Sequence, residues 1–227
     1  MNPLAFPLVP GGSVAAATRG VIRSVLLAAE TLGRDEQPEI YRHVHPHGHA
    51  TAKLARAFAR AVRPAPRSTD RELDEIQLGA QLHDFGKYLI AQSILLKPGP
   101  LDAVERSIIS WHPIYGAEVL IKMPAITETV FQIVLYHHER WDGSGYPEGL
   151  KGRAIPFAAR LIAVVDVYTS LRARRSYKPS LTRCEAASVI EEMAGRELDP
   201  SLAEDFVKFI GGDLKVQLEG ELNDARP

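Results

Sequence analysis

Apolar residues in this chain recur every three or four positions and almost nowhere alternate every second one, so the chain can bury them only by packing helix on helix. Leu54, Ala55, Phe58 and Val62 share one face of a stretch from about Pro46 to Val62, which Pro64 and Pro66 stop. Leu73, Ile76, Leu78 and Leu82 form the next helix, opened by a capping-box pattern at Thr69–Glu72. Asp102 to His112 reads as a helix, Pro113 suits the first turn of another, and residues 124–138 make a further one. Ile155 to Leu171 could be a buried strand or a buried helix, and its length favours helix. Thr182–Glu185 repeats the capping-box pattern, and a last helix runs from Asp199-Pro200 to Gly211-Gly212. The predicted fold class is all-α, a helical bundle.

Three regions are expected. Residues 1–37 form an N-terminal extension with one amphipathic helix at 14–32, which caps the domain or pairs two copies. Residues 38–213 form the main domain, and 214–227 a polar tail. A length of 227 residues suits that single domain. A formal net charge of -1 provides no basic field for a nucleic acid polymer. One cysteine, Cys184, excludes an internal disulfide framework and a thiolate cluster. No run reaches the length of a membrane span, and Arg19 and Arg23 break the apolar stretch at 14–29 that would otherwise resemble a signal peptide. A cytoplasmic, reducing location is expected.

The chemistry is concentrated in His-His-Glu-Arg-Trp-Asp-Gly-Ser-Gly-Tyr-Pro at 137–147. Adjacent side chains on a helix point roughly 100° apart, so His137 and His138 are expected to face one ion each of a pair. Gly143 and Gly145 let backbone approach something bulky or charged. His83-Asp84 ends another apolar helix, with Lys87 beyond it as a point charge. His47 opens the helix before it and His112 closes one after it. Asp166 is a carboxylate in the apolar stretch 161–167, where burial requires a partner or a metal. Seven candidate ligands exceed what one tetrahedral ion needs. Nitrogen and oxygen donors without thiolate suit iron, manganese, nickel or zinc, and two metals sharing a bridging water use them most simply.

Three motifs together carry a family resemblance. His-Asp-Phe-Gly-Lys at 83–87, Leu-Leu-Lys-Pro-Gly-Pro-Leu at 95–101 and the stretch at 137–147 resemble the HD-GYP family of the HD superfamily of metal-dependent phosphohydrolases. The resemblance spans about 43 to 212. It implies a helical domain of the HD-GYP type that uses two or three metal ions, iron or manganese, to hydrolyse the bacterial second messenger cyclic di-GMP to pGpG and on to GMP. By position it implies His47, His83, Asp84, His112, His137, His138 and Asp166 as metal ligands. Lys87 would lie near the scissile phosphate, with Asp84 as the other catalytic residue. Gly145, Tyr146 and Pro147 would lie beside the substrate, and Arg175 and Lys178 on its phosphates.

Two positions depart from the family's pattern. A glutamate that accompanies a third ion is replaced by His43, which argues for two ions and leaves His43 as a further candidate ligand. Pro46 is expected to start the helix late and carry His43 away. An aspartate three residues after the ligand aspartate is replaced by Thr169, which weakens a contact behind the ligands or with substrate. The expected reaction is in-line attack by a metal-bridging hydroxide on the phosphodiester. Alternative readings are a phosphodiesterase for another cyclic dinucleotide such as cyclic GMP-AMP, a catalytically weak cyclic di-GMP-binding module, and a plain helical bundle. A signalling partner such as a diguanylate cyclase is expected. His45 and His49 match nothing in the pattern.

Overall fold

The computed structural model describes residues 38–63, 69–123, 126–173 and 180–212, except for the side chains of Pro38 and His43. The predicted helix at 14–32, the polar tail, Arg175 and Lys178 lie outside the described residues. In order the elements are α1 Pro38–Val62, α2 Asp70–Leu82, a 3-10 turn Phe85–Leu89, α3 Gln92–Leu95, α4 Ala103–Ile109, α5 His112–Leu120, α6 Glu128–Tyr136, a 3-10 turn Gly152–Ala154, α7 Phe157–Arg172, α8 Arg183–Met193 and α9 Pro200–Gly211. The described residues contain no β-strand, only an isolated bridge between Ala194 and Leu198. The all-α prediction holds. No described helix is long and apolar enough to cross a membrane.

The helix starting at about Pro46 in the sequence reading instead runs through it from Pro38. Proline's fixed φ fits a helix and its cost is one missing hydrogen bond. Buried side chains on both sides, Ile40 before it and Leu54, Ala55 and Phe58 after, outweigh that cost. The α2 cap is half of a capping box. Thr69 accepts the Glu72 N–H at 3.2 Å, but the Glu72 carboxylate turns to Arg63 at 2.8 Å. Thr182 and Glu185 form the full reciprocal pair at α8, and Asp102 and Glu105 do so at α4.

Two apolar clusters hold the bundle. The larger joins α1, α2, α7, α8 and α9, with Phe58 edge-on to Phe206 at 4.9 Å. The smaller joins the end of α2, the first 3-10 turn, α5 and α6. Helix α6 serves both, giving Ile133 to the first and Val130 and Val134 to the second. Its C-terminal end is thereby fixed against both. In contrast, α3 and α4 bury no residue. They are tied by the capping box and by Lys97, which donates to both Glu105 oxygens at 2.7 and 2.6 Å.

Candidate metal centre

Five stretches far apart in sequence deliver histidine and aspartate to one place. His47 lies well inside α1 rather than opening a helix. His83 is the C-cap of α2, with Asp84 next in the turn. His112 begins α5 instead of closing α4, because the chain turns at Ser110-Trp111 and restarts on His112-Pro113. His137 is the C-cap of α6 and His138 follows it. Asp166 lies in α7.

The distances are short. His47 Nε2 is 2.7 Å from Asp166 Oδ1. His83 Nε2 lies 3.5 Å from Asp84 Oδ2 and 3.6 Å from Asp166 Oδ1, too far for full hydrogen bonds. His112 Nε2 is 3.2 Å from Asp84 Oδ1 and 3.2 Å from His137 Nε2. Donor atoms of Asp84, His112, His137 and His138 all lie within 4.8 Å of one another, and those of His47, His83 and Asp84 form a second such group. Asp84 belongs to both. His137 and His138 therefore fall in the same group, contrary to the expectation that each faces its own ion. Their rings lie 4.2 Å apart, so neighbouring side chains at the end of the helix still converge on one place.

These residues suit a cation in three respects. The Nδ1 atoms of His83, His112 and His137 each face backbone carbonyls, those of Ala80, Ile109 and Val134, at 2.7, 2.8 and 3.0 Å. A carbonyl only accepts, so Nδ1 carries the proton and the Nε2 lone pair faces inward. The facing Nε2 lone pairs of His112 and His137 need a proton or a cation between them. Finally, His83 Nε2 and Asp84 Oδ1 are buried with no hydrogen-bond partner.

The electrostatics agree. Burial pushes Asp84 up, but the Lys87 ammonium, 2.6 Å from Oδ2, and His83 hold it well below the usual carboxylate range. Burial is likewise overcome at Asp166 by His47 and His83. Burial drives His137 well below the usual imidazole range, and burial with His112 takes His138 down to about 3. Neutral imidazoles and ionised carboxylates are the forms that bind metal. Burial pulls His83 down too, yet Asp84 and Asp166 outweigh it and raise it to about 9. Two carboxylates draw a proton there in place of a cation.

A pH dependence follows. His138 titrates lower in the folded state, so its contribution is present above 6.5 and lost as pH falls through about 3. Asp84 and Asp166 act in the same direction at lower pH. His83 contributes fully below 6.5 and loses it as pH rises through about 9, so it adds little between pH 6.5 and 5. Chelator-treated protein is expected to lose about 2 kcal/mol over that window from His138 alone. Urea midpoints at the two pH values measure this, and equal midpoints would contradict it.

The loop after His138 is shaped by Glu139, whose role the sequence reading missed. Its buried carboxylate accepts the N–H groups of Glu148 at 2.7 Å and Leu150 at 3.0 Å. This folds Gly145-Tyr146-Pro147 back, so that Tyr146 stacks on His138 with ring centres 4.9 Å apart. A Cβ on Gly145 would sit 2.3 Å from Arg140 N, so no other residue fits there unshifted. Outward, Trp141 and Asp142 donate backbone N–H groups to Glu197 and Arg196. Glu139→Gln turns an amide against one of the two N–H donors, which costs about 1–3 kcal/mol of loop order. Substrate KM is expected to rise about tenfold with bound metal unchanged; an unaltered KM would remove Glu139 from this role.

Thr169 is buried, shares a 3.0 Å hydrogen bond with Thr51 Oγ1, and lies one turn from Asp166. Thr51 in turn donates to the His47 carbonyl. The hydroxyl pair thus links α1 to α7 beside the His47–Asp166 contact. The sequence reading had anticipated a loosened contact there.

The family model described as HD domain matches residues 33–202. The chain belongs to the HD-domain family. Among curated relatives, this HD-domain chain is 36% identical over 186 residues to a cyclic di-GMP phosphodiesterase of Thermotoga maritima, covering 82% of the chain and 48% of the relative. It is 41% identical over 136 residues to 3'3'-cGAMP-specific phosphodiesterase 2 of Vibrio cholerae, covering 60% and 26%. The chain spans less than half the length of the curated relatives it matches. A solved HDG"Y"P protein of Bdellovibrio bacteriovorus shares the HD-domain fold, with TM-score 0.62 and 18% identity over 88% of this chain and 64% of that one. The family recognised from the three motifs is borne out.

Proposed function

We propose that this chain is a metal-dependent phosphodiesterase that hydrolyses cyclic di-GMP to pGpG and on to GMP, with residues 38–213 as its catalytic unit in the cytoplasm. The observation that carries this is the convergence of six histidine and aspartate side chains into two groups that share Asp84, with Asp166 bonded to His47 beside them and two buried donor atoms left without partners. Relatives named as cyclic di-GMP phosphodiesterases support the substrate.

Two divalent cations, iron or manganese, would be held by His47, His83, Asp84 and Asp166 on one side and by Asp84, His112, His137 and His138 on the other. When bound, such ions supply Lewis-acid charge for the phosphodiester and acidify a water. The remaining work belongs to the chain. Asp84 faces both donor groups and stays ionised through Lys87. Lys87, with a quarter of its side chain exposed, can also turn its ammonium toward charge developing on phosphate oxygens. Tyr146 stacks on the His138 ring, and Gly145, Tyr146 and Pro147 would lie beside the substrate. Arg175 and Lys178 would bind the second phosphate, and His43 stays a further candidate ligand. The helix at 14–32 would pair two copies, and a diguanylate cyclase would be the signalling partner.

The test is anaerobic reconstitution with Fe(II) or Mn(II), then chromatography of products from cyclic di-GMP. Formation of pGpG supports the proposal, and binding without product would reduce the chain to a receptor. A second reading, cleavage of cyclic GMP-AMP, is favoured by the 41% identical relative of that specificity. Faster turnover of 3'3'-cGAMP in the same assay would establish it instead.

A further inference from the structure

Arg160, in α7, touches both ends of the loop that carries Tyr146. Its guanidinium lies 5.8 Å from the centre of the Trp141 ring, where the chain enters the loop. Its Nε–H donates to the Ile155 carbonyl at 2.9 Å, where the chain leaves it. The two ends also meet directly, since the Gly152 N–H donates to the Trp141 carbonyl at 2.9 Å. Below them Arg160 pairs with one oxygen of Asp199. The other Asp199 oxygen caps α9 by accepting the Ser201 and Leu202 N–H groups. We propose that Arg160 is a positioning residue for the substrate: it holds both ends of the loop to α7, the helix that carries Asp166, and so sets where Tyr146 stands beside His138.

Three observations support it. The first is burial. The Arg160 and Asp199 side chains are 14% and 5% exposed, so water competes little for the pair and its geometry is held. The second is the planar fork. One guanidinium serves a carboxylate, a carbonyl and a ring face at once, which a lysine ammonium does not match. The third is the path to the centre. The Tyr146 N–H donates to the His138 carbonyl at 3.3 Å, and the two rings stack. Gly145 presses on the backbone of 138–140 so closely that no Cβ fits. A loop packed without slack passes a shift at Trp141 on to Tyr146. Glu139 folds this loop on itself, whereas Arg160 fixes it to the helix beneath. The inference rests on the phosphodiesterase reading for its substrate, but not for its geometry.

Arg160→Lys tests this while keeping a charge opposite Asp199. Trp141→Leu removes the ring and leaves the Arg160–Asp199 pair intact, and Trp141→Phe restores a ring face. Each full chain is loaded with Mn(II) and assayed on cyclic di-GMP, with bound manganese and Tm measured on the same sample. A hydrogen bond from a charged group is worth on the order of tenfold in an equilibrium constant. KM is therefore expected to rise about tenfold in Arg160→Lys and several-fold in Trp141→Leu, with kcat and bound manganese unchanged. Trp141→Phe should return KM toward wild type. A lower Tm with KM unchanged would make Arg160 a packing residue and overturn the proposal; if Arg160→Lys fails to fold, Trp141→Leu decides. Should the wild type cleave no cyclic di-GMP, amide exchange decides without a substrate. The Gly152 amide should then exchange about tenfold faster in Arg160→Lys than in wild type, with α7 unchanged, and equal rates at Gly152 would overturn the proposal.

Discussion

Asp84→Ala is expected to abolish turnover of cyclic di-GMP and to release bound metal in the same step. Among the described residues no other side chain belongs to both donor groups. Its loss removes one donor from each group and the carboxylate that anchors Lys87. Lewis-acid catalysis contributes several kcal/mol. At about 1.4 kcal/mol per tenfold, kcat/KM should fall at least ~10³-fold. The measurement is product formation after Mn(II) reconstitution, with metal content on the same sample. Wild-type turnover in an Asp84→Ala protein that holds no metal would sink the mechanism. Metal retained in full with turnover lost would instead assign Asp84 a role in the reaction alone.

Gly86→Ala carries the largest expected effect on stability. A Cβ there would sit 1.9 Å from the His112 carbonyl oxygen and 2.7 Å from Gly116 N. Both are backbone atoms and cannot swing aside. Removing a glycine stabilises by about 0.4–1 kcal/mol through the unfolded chain. Overpacking a filled interior costs about 1–3 kcal/mol and sometimes more, and backbone collision belongs at the upper end. The expected net loss is about 3 kcal/mol, a drop in Tm of roughly 10 °C for a domain of this size. His112 moves with the backbone it precedes, so bound metal should fall as well. A melt that matches wild type would mean that the first 3-10 turn does not press on α5 as described.

The helices were legible in the sequence because their buried faces are spelled out locally. Leu54, Ala55 and Phe58, or Leu73, Ile76 and Leu82, need no knowledge of the rest of the chain. Helix ends were read less well, since they depend on which neighbour a side chain prefers. Glu72 chose Arg63 over its own cap, and His112 began a helix because two residues before it turned. The donor types at the centre were legible, whereas their grouping was not. Whether His137 and His138 share a group depends on the turn at the end of α6. Glu139 and Thr51 were missed for the same reason. Their partners lie 9 to 11 and 118 residues away, and nothing in the local sequence points to them.

The α3–α4 segment joins the turn of Asp84 to the turn of His112, yet it contributes nothing to either apolar cluster. Free energy of opening follows buried contact, so this strap can detach at small cost while the helices beneath it hold. In heavy water its amides should exchange orders of magnitude sooner than those of α7. The two turns that carry Asp84 and His112 would keep their places while the stretch between them opens.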